Sequence, residues 1–185
     1  TPPLTDYEQH VYDTLSEFIF EQYERLYSSI IARFVLTGLQ RQISSSLYAA
    51  VSHYRAYIDT QEDEGNGALI LDIEETDFDL TDNENDEEEA SYRLKDDANF
   101  RSIIQSISLE SLYEDDSKYD KLIEILAQTQ KAIIFAFYKR SLHYLQRRLR
   151  DRGITSVLID GDVPTKPDEP EADERLRRIS IFRDD

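Results

Sequence analysis

Apolar side chains recur at spacings of three and four through the N-terminal third of the chain. Val11, Leu15, Phe18 and Ile19, then Gln22 or Tyr23, Leu26 and Ile30, fall on one helical face. Thr5 or Asp6 caps the start, and Glu8 stands three residues after Thr5 as in a capping box. Ile31, Phe34, Val35 and Leu39 continue the period. Ser44, Ser45 and Ser46 break it and cap a third helix over 46–58, with Leu47, Ala50, Val51, Tyr54 and Ile58 on one side. The period resumes over 94–109 through Leu94, Phe100, Ile103, Ile104 and Ile107. Asp116 or Ser117 then caps a helix whose apolar positions are Leu122, Ile123, Ile125 and Leu126.

From residue 131 the pattern changes. Ala132 to Phe137 form a short, almost wholly apolar run, which predicts a strand buried on both faces of a parallel sheet. A helix over 140–151 follows, with Leu142, Leu145 and Leu149 inward and Gly153 at the C-cap. Ser156 to Ile159 predict a second strand, which runs into Asp160, Gly161 and Asp162. A Pro-rich acidic loop spans 164–170, and a last helix carries Leu176, Ile179 and Phe182. Strand, helix, strand at this spacing predicts a βαβ unit and an α/β fold class. A parallel sheet needs more than two strands, so the chain is expected to end inside a domain.

Charge divides the chain again. The 185 residues carry a net charge of −18. Fifteen acids lie within 59–89, and no Lys or Arg occurs between Arg55 and Arg93. Gly65, Asn66, Gly67, Asn83 and Asn85 add breakers, and Ala68 to Leu71 form one apolar island. Self-repulsion predicts a solvated linker or long loop there. The rest of the chain holds 24 acids against 21 bases, so −18 is not a uniform repulsion from nucleic acid.

Composition removes several chemistries. Cys is absent, so no disulfide, thiolate metal site or Cys nucleophile exists. No apolar run reaches the ~18 residues of a membrane span, and the first residues, Thr1, Pro2 and Pro3, do not read as the charged and apolar start of a signal peptide. Met is absent even at position 1. That fits an excised or processed segment, or a sequence written without modified Met positions. No Gly-rich phosphate loop occurs. Asp82 to Asp86 lack the glycine of an EF-hand loop, and His10, His53 and His143 are scattered. Neither a metal site nor a catalytic residue is expected.

One stretch favours an anionic ligand. Lys131, Lys139, Arg140, Arg147, Arg148, Arg150 and Arg152 are opposed within 131–153 only by Asp151. Tyr138, Lys139 and Arg140 sit where the expected strand meets the helix, and the C-terminal edge of such strands binds ligands. Beside a helix N-terminus these cations suit phosphates, although a solvated face is the equal alternative. For Arg147, Arg148 and Arg150 the solvated face is the preferred reading.

A family pattern links these pieces. Asp116, Lys118 and Leu122 form D-x-K-x-x-x-L, and Lys131 to Phe135 read K-x-[IV]-[IV]-F. Leu149 to Ile154 form L-x-x-x-G-[IL], Leu158 to Gly161 lead into a Gly turn, and Arg175, Ile179 and Phe182 form R-x-x-x-[IL]-x-x-F. Upstream, Leu4 to Asp13 match "t-x-x-E-x-x-x-Y-d" and Leu39 to Ser46 match "L-x-R-x-x-x-S-S". In this order the chain resembles Swi/Snf-type DNA-dependent ATPases of helicase superfamily two. Ala172 stands where related helicases often carry Gln, and the loop 162–174 is longer than usual.

The resemblance implies helices leaving a first lobe (1–58), an acidic linker (59–92), a helical lead-in (93–130) and the first half of a second lobe (131–185). That second part would be a partial RecA-like parallel α/β lobe, an incomplete domain of the P-loop NTPase type. By the same resemblance the parent hydrolyses ATP with Mg²⁺ and moves along double-stranded DNA. The phosphate loop, Mg²⁺-binding acids and arginine-finger motif do not occur in this chain, so no cofactor and no turnover are expected of it alone. Tyr138, Lys139, Arg140, Gly161 and Arg175 are the expected nucleic-acid contacts. The compartment would be the bacterial cytoplasm, at the nucleoid, or the nucleus, and not a secreted one. The alternative is a non-enzymatic module whose segment 59–89 engages a basic protein or mimics DNA. A nucleotide-binding α/β domain of other ancestry is disfavoured, since no Gly-rich turn follows Phe137.

Overall fold

The computed structural model describes residues 2–59, 94–164 and 173–184. The expected acidic linker and most of the Pro-rich loop lie outside the described residues. The chain divides into two compact units, Thr1–Ile133 and Ile134–Asp185.

The first unit is helical. It contains α1 (Asp6–Arg25), α2 (Ile30–Ser45), α3 (Leu47–Asp59), a 3-10 turn (Leu94–Asp96), α4 (Ala98–Ser106), α5 (Leu109–Glu114) and α6 (Ser117–Leu126). The α1 start is a capping box: Thr5 Oγ1 accepts from Glu8 N, and the Glu8 carboxylate accepts from Thr5 N. The sequence period runs on to Ile30, but α1 stops at Arg25. Ser29 then accepts a hydrogen bond from Ala32 N and starts α2, which leaves Ile30 exposed.

α2 packs on α1 and α3, and α3 packs on α4, α5 and the 3-10 turn. Their shared core holds Val11, Leu15, Phe18, Val35, Leu39, Val51, Tyr54, Phe100, Ile104 and Leu112. Phe100 lies at its centre, with ring centroids 5.3 Å from both Phe18 and Tyr54. Charged and polar side chains pin the helix ends. Arg55 donates to the carbonyls of Ile104 and Gln105 in the last turn of α4 and of its C-cap residue Ile107. The Tyr7 hydroxyl accepts from Ser108 N at 2.7 Å, just before α5.

The second unit holds α7 (Lys139–Asp151) and α8 (Glu174–Asp184). α7 ends in a Schellman motif. Ile154 N donates to Leu149 O, Gly153 N donates to Arg150 O, and Gly153 takes φ +72°. Tyr144, Arg148 and Leu149 are buried, whereas Leu142 and Leu145 are half-buried. The solvated reading of Arg148 is therefore corrected: its guanidinium donates to the Tyr144 hydroxyl at 2.8 Å. α8 departs further from expectation, because Leu176 and Ile179 are exposed. Polar groups fix α8 instead.

The expected parallel α/β lobe is not formed. Among the described residues helices make up 71%, and no strand or sheet occurs. The segments 132–137 and 154–160 are neither helix nor strand and belong to no ladder. Exposure alternates along the first: Ile133, Phe135 and Phe137 are 69%, 90% and 56% exposed, while Ala132, Ile134 and Ala136 are half-buried. A parallel strand needs neighbours on both edges and helices on both faces. The apolar run records that a segment suits such surroundings; it does not supply them.

Three substitutions test these packing assignments. Phe100→Ala removes a ring with no exposed surface and should cost about 3–5 kcal/mol in urea unfolding of the full chain. Gly153→Ala meets no steric neighbour but forces a side chain into the left-handed region, costing about 1–2 kcal/mol. Gly153→Asn should cost less, as Asn tolerates that region better.

Candidate nucleic-acid interface

The expected contacts are built on the second unit around one tight turn. Asp160 starts it. Its carbonyl accepts from Val163 N at 3.3 Å, and its Oδ1 accepts from Asp162 N at 3.1 Å. The Asp160 side chain is only 5% exposed, and its Oδ2 lies 3.0 Å from His143 Nε2 on α7. Asp162 is more open, with its side chain 74% exposed. Its Oδ1 meets Lys139 Nζ at 2.9 Å, in the first turn of α7.

α8 closes the turn from its other side. Asp173 Oδ1 caps that helix by accepting from Arg175 N and Leu176 N. The capped turn aims Arg175 at three carbonyls: Nε donates to Val163 O at 2.9 Å, and one terminal nitrogen lies 3.3 Å from Asp160 O and 3.5 Å from Gly161 O. Arg178 donates to Leu158 O, two residues before the turn. Glu174 gathers Arg177 and Arg178. Those hydrogen bonds, Arg177 first and then Arg178, lower its carboxyl pKa from the usual 4.5 to about 2.

Of the five sequence candidates, Lys139, Gly161 and Arg175 meet at this turn. Gly161 is exposed, and among the described glycines only Gly153 has a positive φ. Arg140 follows Lys139 on α7 and is half-buried. Tyr138 is the N-cap of α7 but makes no side-chain cap bond; its ring is buried and lies edge-on to Phe137 at 5.0 Å. A buried ring offers a ligand little surface, so Tyr138 anchors the start of α7.

Residues that sequence reasoning did not assign to the site complete the arrangement. Asp160, Asp162, His143, Asp173 and Arg178 hold the turn in place. His143 was readable one helical turn after Lys139, at the spacing that shares a face. The same face continues through Arg140, His143, Arg147 and Arg150, a stripe about 15 Å long at 1.5 Å per residue that carries three guanidinium groups. His143, Arg147 and Arg150 on that stripe are exposed. Among the described residues no cluster of three His, Asp or Glu is placed to hold a metal. No described helix is long and apolar enough to cross a membrane.

A second meeting of residues lies in the first unit. Glu8 Oε1 accepts from Ser117 N, the first residue of α6, at 3.2 Å. Lys118 donates to the carbonyls of Ser44 and Ser45 at the end of α2. Asp116 caps α6 by accepting from Tyr119 N at 2.8 Å. Three sequence segments far apart in the chain therefore join at one polar junction. Comparison with family models, with curated proteins and with solved structures finds no match for this chain.

The Glu174 pairing predicts a pH dependence with a definite sign. A carboxyl whose pKa falls on folding supports the fold fully above its unfolded value and loses that support as pH falls through its folded value. The melting-temperature difference between the wild type and Glu174→Gln should be constant above about pH 4.5 and vanish near pH 2. Circular dichroism melts across that range measure it.

Proposed function

We propose that this chain is a segment of a Swi/Snf-type DNA-dependent ATPase of helicase superfamily two. Its own share of the work is to contact the phosphate backbone of double-stranded DNA. The observation that carries the family reading is the polar junction of the first unit. The motif segments around Glu8, around Ser44 and Ser45, and around Asp116 to Lys118 were matched separately and in order. Hydrogen bonds join all three. The reading rests on those segments and not on a sheet.

The second unit supports the DNA contact. Lys139, the Gly161 turn and Arg175 gather at one end of α7, and the cationic stripe leads away from them along the helix. Phosphate contacts of this kind position a protein on the duplex and carry no base sequence. Their affinity comes from counterion release. Arg175 shapes the turn through its carbonyls, so its contribution to binding is positional. ATP and Mg²⁺ belong to other parts of the parent enzyme. The setting is wherever chromosomal DNA is held, the bacterial cytoplasm or the nucleus.

Fluorescence anisotropy with a short labelled duplex tests this reading. The full chain should bind weakly, with log K falling linearly as log salt rises. Arg140→Ala should reduce the slope by about one, because one phosphate contact is lost. Binding that is flat with salt, or a slope unchanged by Arg140→Ala, contradicts the reading. Phosphate release from ATP in the presence of DNA should stay at the blank level, since no triphosphate-binding loop occurs in the sequence.

A further inference from the structure

One part of this acidic chain holds no acid. No Asp or Glu occurs between Glu24 and Asp59, a stretch that contains all of α2. α2 buries Ala32, Val35, Leu36, Leu39, Gln42 and Ile43 in the first unit. Arg33, Thr37 and Arg41, at i, i+4 and i+8, share its opposite side. Arg41 is exposed. Arg33 is half-buried, and its guanidinium carbon lies 5.6 Å from the centre of the Tyr27 ring. Its Nε is buried and has no hydrogen-bond partner. Among the described residues neither guanidinium pairs with a carboxylate.

These features favour a polyanion. Two arginines without acids beside them concentrate positive potential on a chain that is negative elsewhere. The Tyr27 ring holds the Arg33 guanidinium by a cation–π contact and leaves its planar fork set for an oxyanion. The C-terminal end of a helix carries partial negative charge, which would repel phosphate. Lys118 opposes that charge by donating to the carbonyls of Ser44 and Ser45. Arg33 and Arg41 stand eight residues apart, about 12 Å along the axis at 1.5 Å per residue. The major groove of duplex DNA is about 12 Å wide and is edged by two phosphate backbones. We infer that this face of α2 is a second phosphate-binding surface for double-stranded DNA, with Arg33 and Arg41 on phosphates across one groove. The inference rests on reading the chain as a DNA-binding segment, and it uses no residue of the second unit.

Anisotropy titrations of the full chain with a labelled duplex, from about 50 to 200 mM salt, test it. Arg33→Ala and Arg41→Ala should each weaken binding about three- to tenfold at the low end and reduce the salt slope by about one. The double variant should reduce it by about two. Arg101→Ala removes an exposed arginine from α4 and should change nothing. Circular dichroism melting checks folding, and Arg41, being exposed, can be truncated without opening the core. If Arg140→Ala lowers the slope and the α2 variants do not, the α2 surface is overturned and the second-unit contact stands. The reverse result supports the α2 surface and removes the second-unit contact. An equal loss in Arg101→Ala is a general charge effect and overturns the α2 surface. If polyglutamate displaces the labelled duplex as well as unlabelled duplex of equal charge does, the face takes any polyanion and the duplex assignment is overturned. If the wild type binds no duplex, both readings fall.

Discussion

Every helix end leaves backbone groups without partners, and both units of this protein meet that constraint with long polar side chains from a neighbouring element. Glu8 is buried, yet one of its oxygens serves the start of its own helix and the other serves the start of α6. Lys118 serves the end of α2, and Arg55 serves the carbonyls of the last turn of α4 and of its C-cap. In the second unit Arg175 and Arg178 do the same for the turn at 160–163 and for Leu158 before it. A backbone group buried without a partner costs about as much as a lost hydrogen bond. These side chains are therefore structural first, and any functional role must be compatible with that.

This constraint decides how the candidate site is to be understood. An arginine that donates to three carbonyls cannot also be a phosphate clamp without releasing the turn. Arg175 is a positioning residue for that reason. Arg147 and Arg150 face solvent on α7, so they and Arg140 are the side chains best suited to meet a polyanion. The local field is positive there although the chain as a whole is strongly acidic. Lys139 stands between the two groups, cationic but already engaged by Asp162.

The apolar period of the first unit was legible in detail. Val11, Leu15, Phe18, Val35, Leu39, Val51, Tyr54, Phe100 and Ile104 were named from spacing and are all buried. Tyr119 was not, because it sits among Asp116, Ser117, Lys118, Asp120 and Lys121, where no apolar stripe is visible. The α1 end was missed because Leu26 and Ile30 keep the helical period past the point where Ser29 restarts the backbone. The segments 132–137 and 156–159 were expected as strands of a parallel sheet, and neither forms one. Hydrophobicity is local, whereas a ladder depends on partners elsewhere. The same limit applies to Asp162. Its pairing with Lys139 spans 23 residues and depends on the shape of a turn that neither residue reports.

The central claim is that one end of α7, the turn at 160–163 and the start of α8 together face the DNA backbone. Hydrogen–deuterium exchange with mass spectrometry, on the full chain with and without duplex DNA at low salt, tests it most directly. The account predicts slower exchange in peptides covering 139–147, 158–163 and 173–178, with no change across 98–126. Protection confined to 98–126, or none anywhere at saturating DNA, would contradict it.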